Sequence, residues 1–235
     1  MDVDFEKILG AGKYGNICYG TWKGNPVAVK QGKSIEHYTD VLSLDHENVV
    51  KLLHVKRLDT GKQRDVSNYV LELCEESLDQ YFLKNDDRKE LRGPMPSKKK
   101  LFPGLAQGME YLHSKKFILD DIKPKKVLIL VDPDDPRNSK AKWSISGILD
   151  QRVESSKTVR LNSKESIWKA PELTKGQYEL PETVESNIFA VGLVFAYILL
   201  NGKHLYDSLL DHEIIDNIQN DKPVNFYSRF MKQLI

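Results

Sequence analysis

Leu9-Gly10-Ala11-Gly12-Lys13-Tyr14-Gly15-Asn16-Ile17 sets three glycines in a GxGxxG spacing, and Val27-Ala28-Val29-Lys30 brings a lysine fifteen residues after Gly15. Three glycines at this spacing also occur in ordinary turns, so the context has to separate two meanings. A dinucleotide-binding fingerprint follows a strand and opens a helix. Here the glycines are followed by two short β-prone runs, Ile17–Trp22 and Val27–Lys30, joined by Lys23-Gly24-Asn25-Pro26. That is a hairpin signal, with Gly and Asn supplying the turn. The glycine loop is therefore expected between two antiparallel strands. Its backbone N–H groups can fold over phosphates there, because glycine permits close approach. A lysine on the next strand suits charge pairing to the α- and β-phosphates of a nucleotide. Lys30 taken alone reads as a surface lysine; taken with the loop it reads as a nucleotide contact.

Working outward, a second strand pair is expected at Val50–Leu58 and Asn68–Leu73, around the polar turn Asp59-Thr60-Gly61-Lys62. Between the pairs, Ser34–Leu44 is a short helix candidate with Ile35, Val41, Leu42 and Leu44 as its apolar positions. From Glu75 the pattern turns helical. Ser77–Leu83 and Leu101–His113 space apolar residues three and four apart. Lys84–Lys100, rich in Lys and Arg, reads as a solvated connection, with a partner-docking patch as the alternative. Lys126–Val131 reads as a buried strand and Asp132–Lys140 as a loop. Helices are expected near Ser186–Leu200 and Ser208–Gln219, and no internal repeat is visible. The expected fold class is α+β, a small antiparallel β lobe followed by a larger, mostly helical lobe.

Composition limits what such a chain does. Among 235 residues, 40% are apolar and 29% charged, so disorder is not expected for most of the chain. Lys and Arg number 35 against 34 Asp and Glu, a formal charge of +1. That balance leaves no electrostatic footprint for nucleic acid, and no direct nucleic-acid binding is expected. Cys18 and Cys74 are the only cysteines, which provides neither a disulfide framework nor a CxxC metal knuckle. The start, MDVDFEKILG, lacks the apolar core of a signal peptide. The longest apolar run, Ile188–Leu200, is too short to span a bilayer and reads as a buried helix. A soluble, cytoplasmic chain without a membrane segment is expected.

Further motifs join the glycine loop. Asn68-Tyr69-Val70-Leu71-Glu72-Leu73-Cys74 ends the expected small sheet. Tyr111-Leu112-His113-Ser114 precedes Leu119-Asp120-Asp121-Ile122-Lys123-Pro124-Lys125-Lys126, and Ala170-Pro171-Glu172 follows later. With these residues the chain resembles the eukaryotic protein kinase family from Leu9 to about Ile235. The resemblance implies a bilobal fold with a small lobe over residues 1–74 and a large lobe over residues 75–235. It implies a nucleotide site at Leu9, Gly10, Gly12, Gly15, Ile17, Lys30, Glu72, Cys74 and Lys126, with adenine meeting backbone of Glu72 and Cys74. Within the family, Glu72-Leu73-Cys74, the charged stretch before Trp143 and Asn201-Gly202-Lys203-His204 resemble the inositol-requiring kinase–endoribonucleases and the 2-5A-dependent ribonuclease. Those relatives carry a nuclease after the kinase lobe. This chain runs to Lys232-Gln233-Leu234-Ile235, where the last kinase helices would not be finished, and no nuclease is expected in it.

The departures from the family pattern bear on chemistry. Leu119 and Asp120 stand where the family has His and Arg, whereas Asp121 keeps the catalytic aspartate position and Lys123 the phosphate-neutralising lysine. Lys126 replaces the metal-binding asparagine. Gly147-Ile148-Leu149 replaces the D-F-G triplet, and Asn187 replaces the core-helix aspartate. Leu119 and Ile148 are apolar, so their packing role is expected to survive. Gly147 and Lys126 remove both protein ligands for magnesium, whose ions clamp and neutralise the phosphates during transfer. Asp120 removes the cation that would receive an activation-loop phosphate. Asp120 and Asp121 are adjacent, so their side chains point apart and do not form an acid–base pair. Lys126 reads either as an ammonium replacing a metal or as a solvent-facing lysine. Either Glu36 or His37 stands where a carboxylate would pair with Lys30.

The expectation is a protein-kinase-like domain, a pseudokinase, that binds ATP or ADP with little help from magnesium. It would have Asp121 and Lys123 as vestigial or residual catalytic residues and no metal site. It would act as a nucleotide-sensing or dimerisation module, as a homodimer or paired with a homologous kinase–nuclease. The rivals are an active Ser/Thr protein kinase with an unorthodox metal site and a scaffold that binds no nucleotide.

Overall fold

The computed structural model describes residues 1–12, 15–58, 66–83, 96–132, 134–135, 138–150, 166–175 and 180–225. The chain divides into two compact units. The first comprises Met1–Glu76, Gly93–Tyr111 and Leu128–Arg152; the second comprises Ser77–Arg92, Leu112–Val127 and Val153–Ile235.

The first unit is built on a five-stranded antiparallel sheet. Its strands are β1 (Asp2–Gly12), β2 (Gly15–Trp22), β3 (Asn25–Lys33), β4 (Leu52–Leu58) and β5 (Val66–Glu72). They lie in the order β1-β2-β3-β5-β4. Lys23 and Gly24 turn the chain between β2 and β3 with φ of 51° and 79°. Positive φ at both central residues is the hairpin turn whose twist matches the flanking strands. Asn25 and Pro26 already pair with Trp22 and Thr21 in the ladder, so the turn is two residues shorter than the expected Lys23–Pro26, and Lys23, not Asn25, shares it with Gly24. The sheet buries Val27, Val29 and Val70.

Helix α1 is only Tyr38–Leu42, against the expected Ser34–Leu44. The hydroxyl of Tyr69 explains the loss. It accepts from Ile35 N at 3.0 Å and donates to Lys33 O at 2.6 Å, which holds residues 33–35 against β5. Strand β1 supplies the first of the two antiparallel strands expected around the glycine loop.

A three-stranded sheet runs in the order β6 (Glu76–Ser77), β7 (Val127–Leu130), β8 (Lys140–Trp143). Strand β8 begins at Lys140, where the expected loop Asp132–Lys140 ends. Trp143 is wholly buried; its indole N–H donates to Leu105 O at 2.7 Å, and its backbone N donates to Asn48 O at 2.8 Å. Helix α3 (Lys98–Ser114) passes this point on glycines. A Cβ at Gly104 or Gly108 would lie 2.6 or 2.8 Å from Asn48 atoms. Lys98–Lys100 thus open α3 instead of closing a loop. Residues 84–95 of the proposed docking stretch, and the turn at 59–62, lie outside the described residues.

The second unit contains α2 (Leu78–Leu83), the 3-10 turn Pro124–Lys126, α4 (Pro171–Thr174), α5 (Val184–Leu199) and α6 (Asp211–Gln219). Thr183 and Ser186 form a reciprocal capping box at the start of α5. Leu193 of α5 packs with Tyr206, Ile214 and Ile218. Phe82 of α2 meets Tyr197 of α5 edge-on at 5.4 Å between ring centroids. Among the described residues no helix is long and apolar enough to cross a membrane.

Candidate active site

In the first unit, the glycine segment is the turn joining β1 to β2. Gly10 pairs with Ile17, Ala11 with Asn16 and Gly12 with Gly15, the last at φ +111°. Lys13 and Tyr14, at its tip, lie outside the described residues. The loop therefore sits between antiparallel strands, as its sequence context implied. Ile17 pairs with Lys30 and Tyr19 with Ala28, so Ile17, Ala28 and Lys30 share one face of the sheet. Cys18, Val29 and Gln31 lie on the other, where with Val3 and Phe5 they line a shallow groove of about 310 Å³.

Lys30 is 3% exposed. Its ammonium donates to the carbonyl of Ser146 at 3.2 Å. Ser144 shapes that turn, since its hydroxyl donates to Ser146 Oγ and accepts from Ser146 N. Gly147 follows, then the 3-10 turn Ile148–Asp150, with Ile148 and Leu149 buried. The position next to the lysine's partner thus carries no carboxylate. Glu36 and His37 are both exposed, in the turn ahead of α1.

At the end of β5, the Glu72 carboxylate accepts from Lys142 Nζ and from Lys51 N, each at 2.6 Å. The Lys142 side chain is only 8% exposed, so this pair is shielded from solvent. Glu72's own N–H donates to Lys51 O. Its side chain is thereby committed to joining β8 and β4 to β5. Two residues on, burial pushes the Cys74 thiol up to about 12, and the Glu72 charge adds to the effect. Glu75 then ties the chain to β7, its N–H donating to Ile129 O and its carboxylate accepting from Val131 N.

The second unit holds the loop Leu119–Lys126. Buried Leu119, Ile122 and Pro124 anchor it, while Asp121, Lys123 and Lys126 remain partly exposed. Asp121 adopts φ +66°, a left-handed conformation that Asp tolerates better than most residues. Its carboxylate meets Lys123 Nζ at 2.6 Å and Lys126 Nζ at 3.9 Å. Asp120 is exposed, consistent with neighbours pointing apart.

Asn187 holds this loop to α5 and is itself fully buried. Its Oδ1 accepts from Leu119 N and its Nδ2 donates to Leu119 O, both at 2.9 Å. The two contacts assign the amide orientation, because one partner donates and the other accepts. His113 Nε2 lies 3.3 Å from the same Oδ1. A carboxylate could take only the first bond. The sequence reading had Asn187 merely as a missing aspartate. A lone amide inside the apolar run of α5 was the available signal, since a buried amide must find partners.

Beside it, Lys169 pairs with Glu182 at 3.5 Å, and Ser186 donates to Glu182 at 2.7 Å. Burial holds the Glu182 carboxyl above its ordinary range, with Ser186 and Lys169 opposing and Asp120 reinforcing the shift. Trp168, from the segment before Pro171, meets His204 edge-on at 4.6 Å.

The first unit provides a buried lysine and the second a carboxylate bracketed by ammonium groups; the resemblance leads one to expect magnesium ligands at Gly147 of the first unit and at Lys126 of the second. Magnesium prefers oxygen ligands, and neither Gly147 nor Lys126 has a side-chain oxygen. These positions do not fit the metal. Among the described residues, no three His, Cys, Asp or Glu side chains cluster to hold one.

The family model for protein tyrosine and serine/threonine kinases matches residues 3–235. A probable L-type lectin-domain containing receptor kinase S.5 of Arabidopsis thaliana is 30% identical over 244 residues, covering 94% of this chain and 34% of that protein. The serine/threonine-protein kinase/endoribonuclease IRE1 of Hypocrea jecorina is 28% identical over 250 residues, covering 88% of this chain and 19% of the relative. The serine/threonine-protein kinase/endoribonuclease ireA of Aspergillus fumigatus is 24% identical, with 88% and 21% covered. The chain thus spans about a fifth to a third of the length of these three relatives. With its five-stranded antiparallel sheet, its helical second unit and this match over nearly its whole length, the chain belongs to the protein tyrosine and serine/threonine kinase family.

Proposed function

We propose that this kinase domain binds ATP or ADP but transfers phosphate at no more than background rate, serving as a nucleotide-responsive association module. The observation that carries the reading is the fate of Asp121. In the family this position receives the hydroxyl proton; here its carboxylate is bracketed by Lys123 and Lys126, with Gly147 in place of the metal aspartate. Small-lobe residues 1–74 would contribute Leu9, Gly10, Gly12, Gly15, Ile17, Lys30 and backbone at Glu72 and Cys74. Large-lobe residues 75–235 would contribute Lys126, with Asp121 and Lys123 as residual catalytic groups. Pairing with a second copy or with a homologous kinase–nuclease, in the cytoplasm, belongs to the same proposal; two relatives carry kinase/endoribonuclease names.

One observation favours a second reading, a scaffold without nucleotide. Lys30 is buried, and its ammonium already has the Ser146 carbonyl as partner. Thermal unfolding with ATP, ADP and adenosine, each with and without magnesium, separates the two. Nucleotide binding to the folded state adds about 2.7 kcal/mol at a hundredfold excess over Kd. The expected result is a shift with ATP that magnesium barely changes and that Lys30→Ala removes. No shift at millimolar nucleotide would establish the scaffold. Radiolabel transfer from ATP, robust in the native protein and lost in Asp121→Asn, would establish an active Ser/Thr kinase.

A further inference from the structure

We infer that the groove on the outer face of the first unit's sheet docks an extended peptide whose large apolar side chain is flanked by lysine or arginine. The groove lies on the face of β3 opposite Lys30 and owes nothing to the nucleotide reading.

Local backbone opens it. Strand β1 breaks register with β2 between Asp4 and Ile8. The Asp4 carboxylate accepts from Glu6 N at 3.1 Å and from Lys7 N at 3.2 Å, which fixes residues 4–7 as a bulge. A bulge re-aims the side chains it carries. Phe5, inside this one, forms a wall of the groove and stays 61% exposed. Val3, Cys18 and Val29 make an apolar floor, the last two buried. A volume of about 310 Å³ lies at the lower end for ligand sites, with room for an aromatic or aliphatic side chain.

The rim selects a peptide as the occupant. Asn16 and Gln31 complete the lining, and both are exposed. Gln31 Nε2 donates to Asn68 Oδ1 at 3.1 Å, which sets the orientation of that amide. Its oxygen and second N–H lie side by side, a pattern that one peptide unit complements. An acyl chain would fill the floor and leave both amides unmatched. Strand β1 ends the sheet, so an extended segment has an edge to run along.

Charge narrows the partner further. Along β1, exposed Asp2, Asp4 and Glu6 outnumber Lys7 by two. The Lys7 ammonium is taken up over the Tyr19 ring, at 3.9 Å from its centroid. A negative edge beside an apolar groove favours cations on either side of the anchor.

The probe is a fluorescein-labelled peptide, Gly-Lys-Ser-Lys-Phe-Lys-Ser-Lys-Gly, titrated with the full chain by fluorescence anisotropy. Comparison peptides exchange its Phe for Ser, or its lysines for glutamates. Phe5→Ala and Gln31→Ala change exposed side chains, so the fold is retained, and each is expected to weaken binding about tenfold. Asp2→Lys with Glu6→Lys should weaken the lysine peptide and favour the glutamate peptide, and added salt should shrink this difference alone. Absence of saturable binding would overturn the inference. Binding that Phe5→Ala leaves unchanged, or that the serine peptide reproduces, would do the same by reducing the contact to charge attraction. Sedimentation of the native chain and Phe5→Ala without peptide completes the test. Self-association that Phe5→Ala abolishes would make a second copy the occupant and overturn the peptide assignment.

Discussion

Restoring the family's own residue at position 187 should damage this chain, and in a pH-dependent way. Asn187 is fully buried and makes one accepting and one donating bond to Leu119. In Asn187→Asp the accepting bond to Leu119 N survives, but an ionised carboxylate has no proton for Leu119 O. The carbonyl becomes an unsatisfied buried acceptor, at a cost of about 1–3 kcal/mol. The carboxylate also faces that carbonyl's negative end without solvent. Both effects raise its folded pKa above the unfolded value of about 3.9, and each unit of elevation costs about 1.4 kcal/mol. His113 Nε2, 3.3 Å from Oδ1, is the group nearby that can soften this. Together the loss should reach about 2–4 kcal/mol at pH 8, a large share of a typical domain's stability.

The sign follows from proton counting. With the folded pKa raised, the folded state binds more protons than the unfolded state between the two values. The variant's stability relative to native is then fully present below about pH 4 and lost as pH rises through the folded pKa. Urea unfolding of both proteins at half-unit steps from pH 4 to 8 measures the difference directly. A difference that is absent at pH 8, or that stays constant across the range, would refute the two-bond account of Asn187.

Four further outcomes are expected. With its thiol raised to about 12, Cys74 should resist iodoacetamide at pH 8 in the folded protein, while the urea-unfolded chain alkylates readily, as mass spectrometry would report. Burial lowers His204 to about 4, so the folded state refuses a proton that the unfolded chain takes up below about 6.5. About 3 kcal/mol, to order of magnitude, should be lost as pH falls through that window, and His204→Phe should flatten this part of the stability profile. Gly202 sits at φ +88°, and a Cβ there would lie 2.7 Å from Phe82 Cβ, so Gly202→Ala should lower stability by about 2–4 kcal/mol in thermal melts. Gly147→Asp should restore little phosphate transfer while Lys126 repels the metal; Gly147→Asp with Lys126→Asn should restore more in a radiolabel assay.

Most of the strand framework was legible because its signals are local. The hairpin expected at Lys23–Pro26, whose turn falls at Lys23-Gly24, and the alternating valines of β3 need only a few residues to declare themselves. The glycine loop was read through its flanking strands, which is a short-range inference too. What escaped depends on distant partners. Helix α1 lost its first turn to Tyr69, more than thirty residues away. Lys140 and Lys142 concealed β8, because the burial of Lys142 depends on a carboxylate outside the strand. At the site, Gly147 and Lys126 were readable as substitutions, but the Asp121 contacts required the φ of one residue and the pitch of one turn. The Lys142–Glu72 pair joins β8 to β5 across seventy positions, and no periodicity announces such a bond.

On the proposed function, the loop Leu119–Lys126 keeps its shape without metal chemistry, and the reason is where each residue's weight is carried. Leu119 and Ile148 are each 2% exposed and keep their places by burying apolar surface, which needs no particular charge. Asn187 fixes the backbone of Leu119 through a neutral amide, so the attachment of the loop to α5 does not depend on an ionised group. Asp120 is exposed and, as an anion, offers a phosphorylated segment no cation. Charge around the loop is instead settled locally, with Asp121 between Lys123 and Lys126 and Glu182 against Lys169. A loop held by packing and neutral hydrogen bonds stays ordered without metal or phosphorylation.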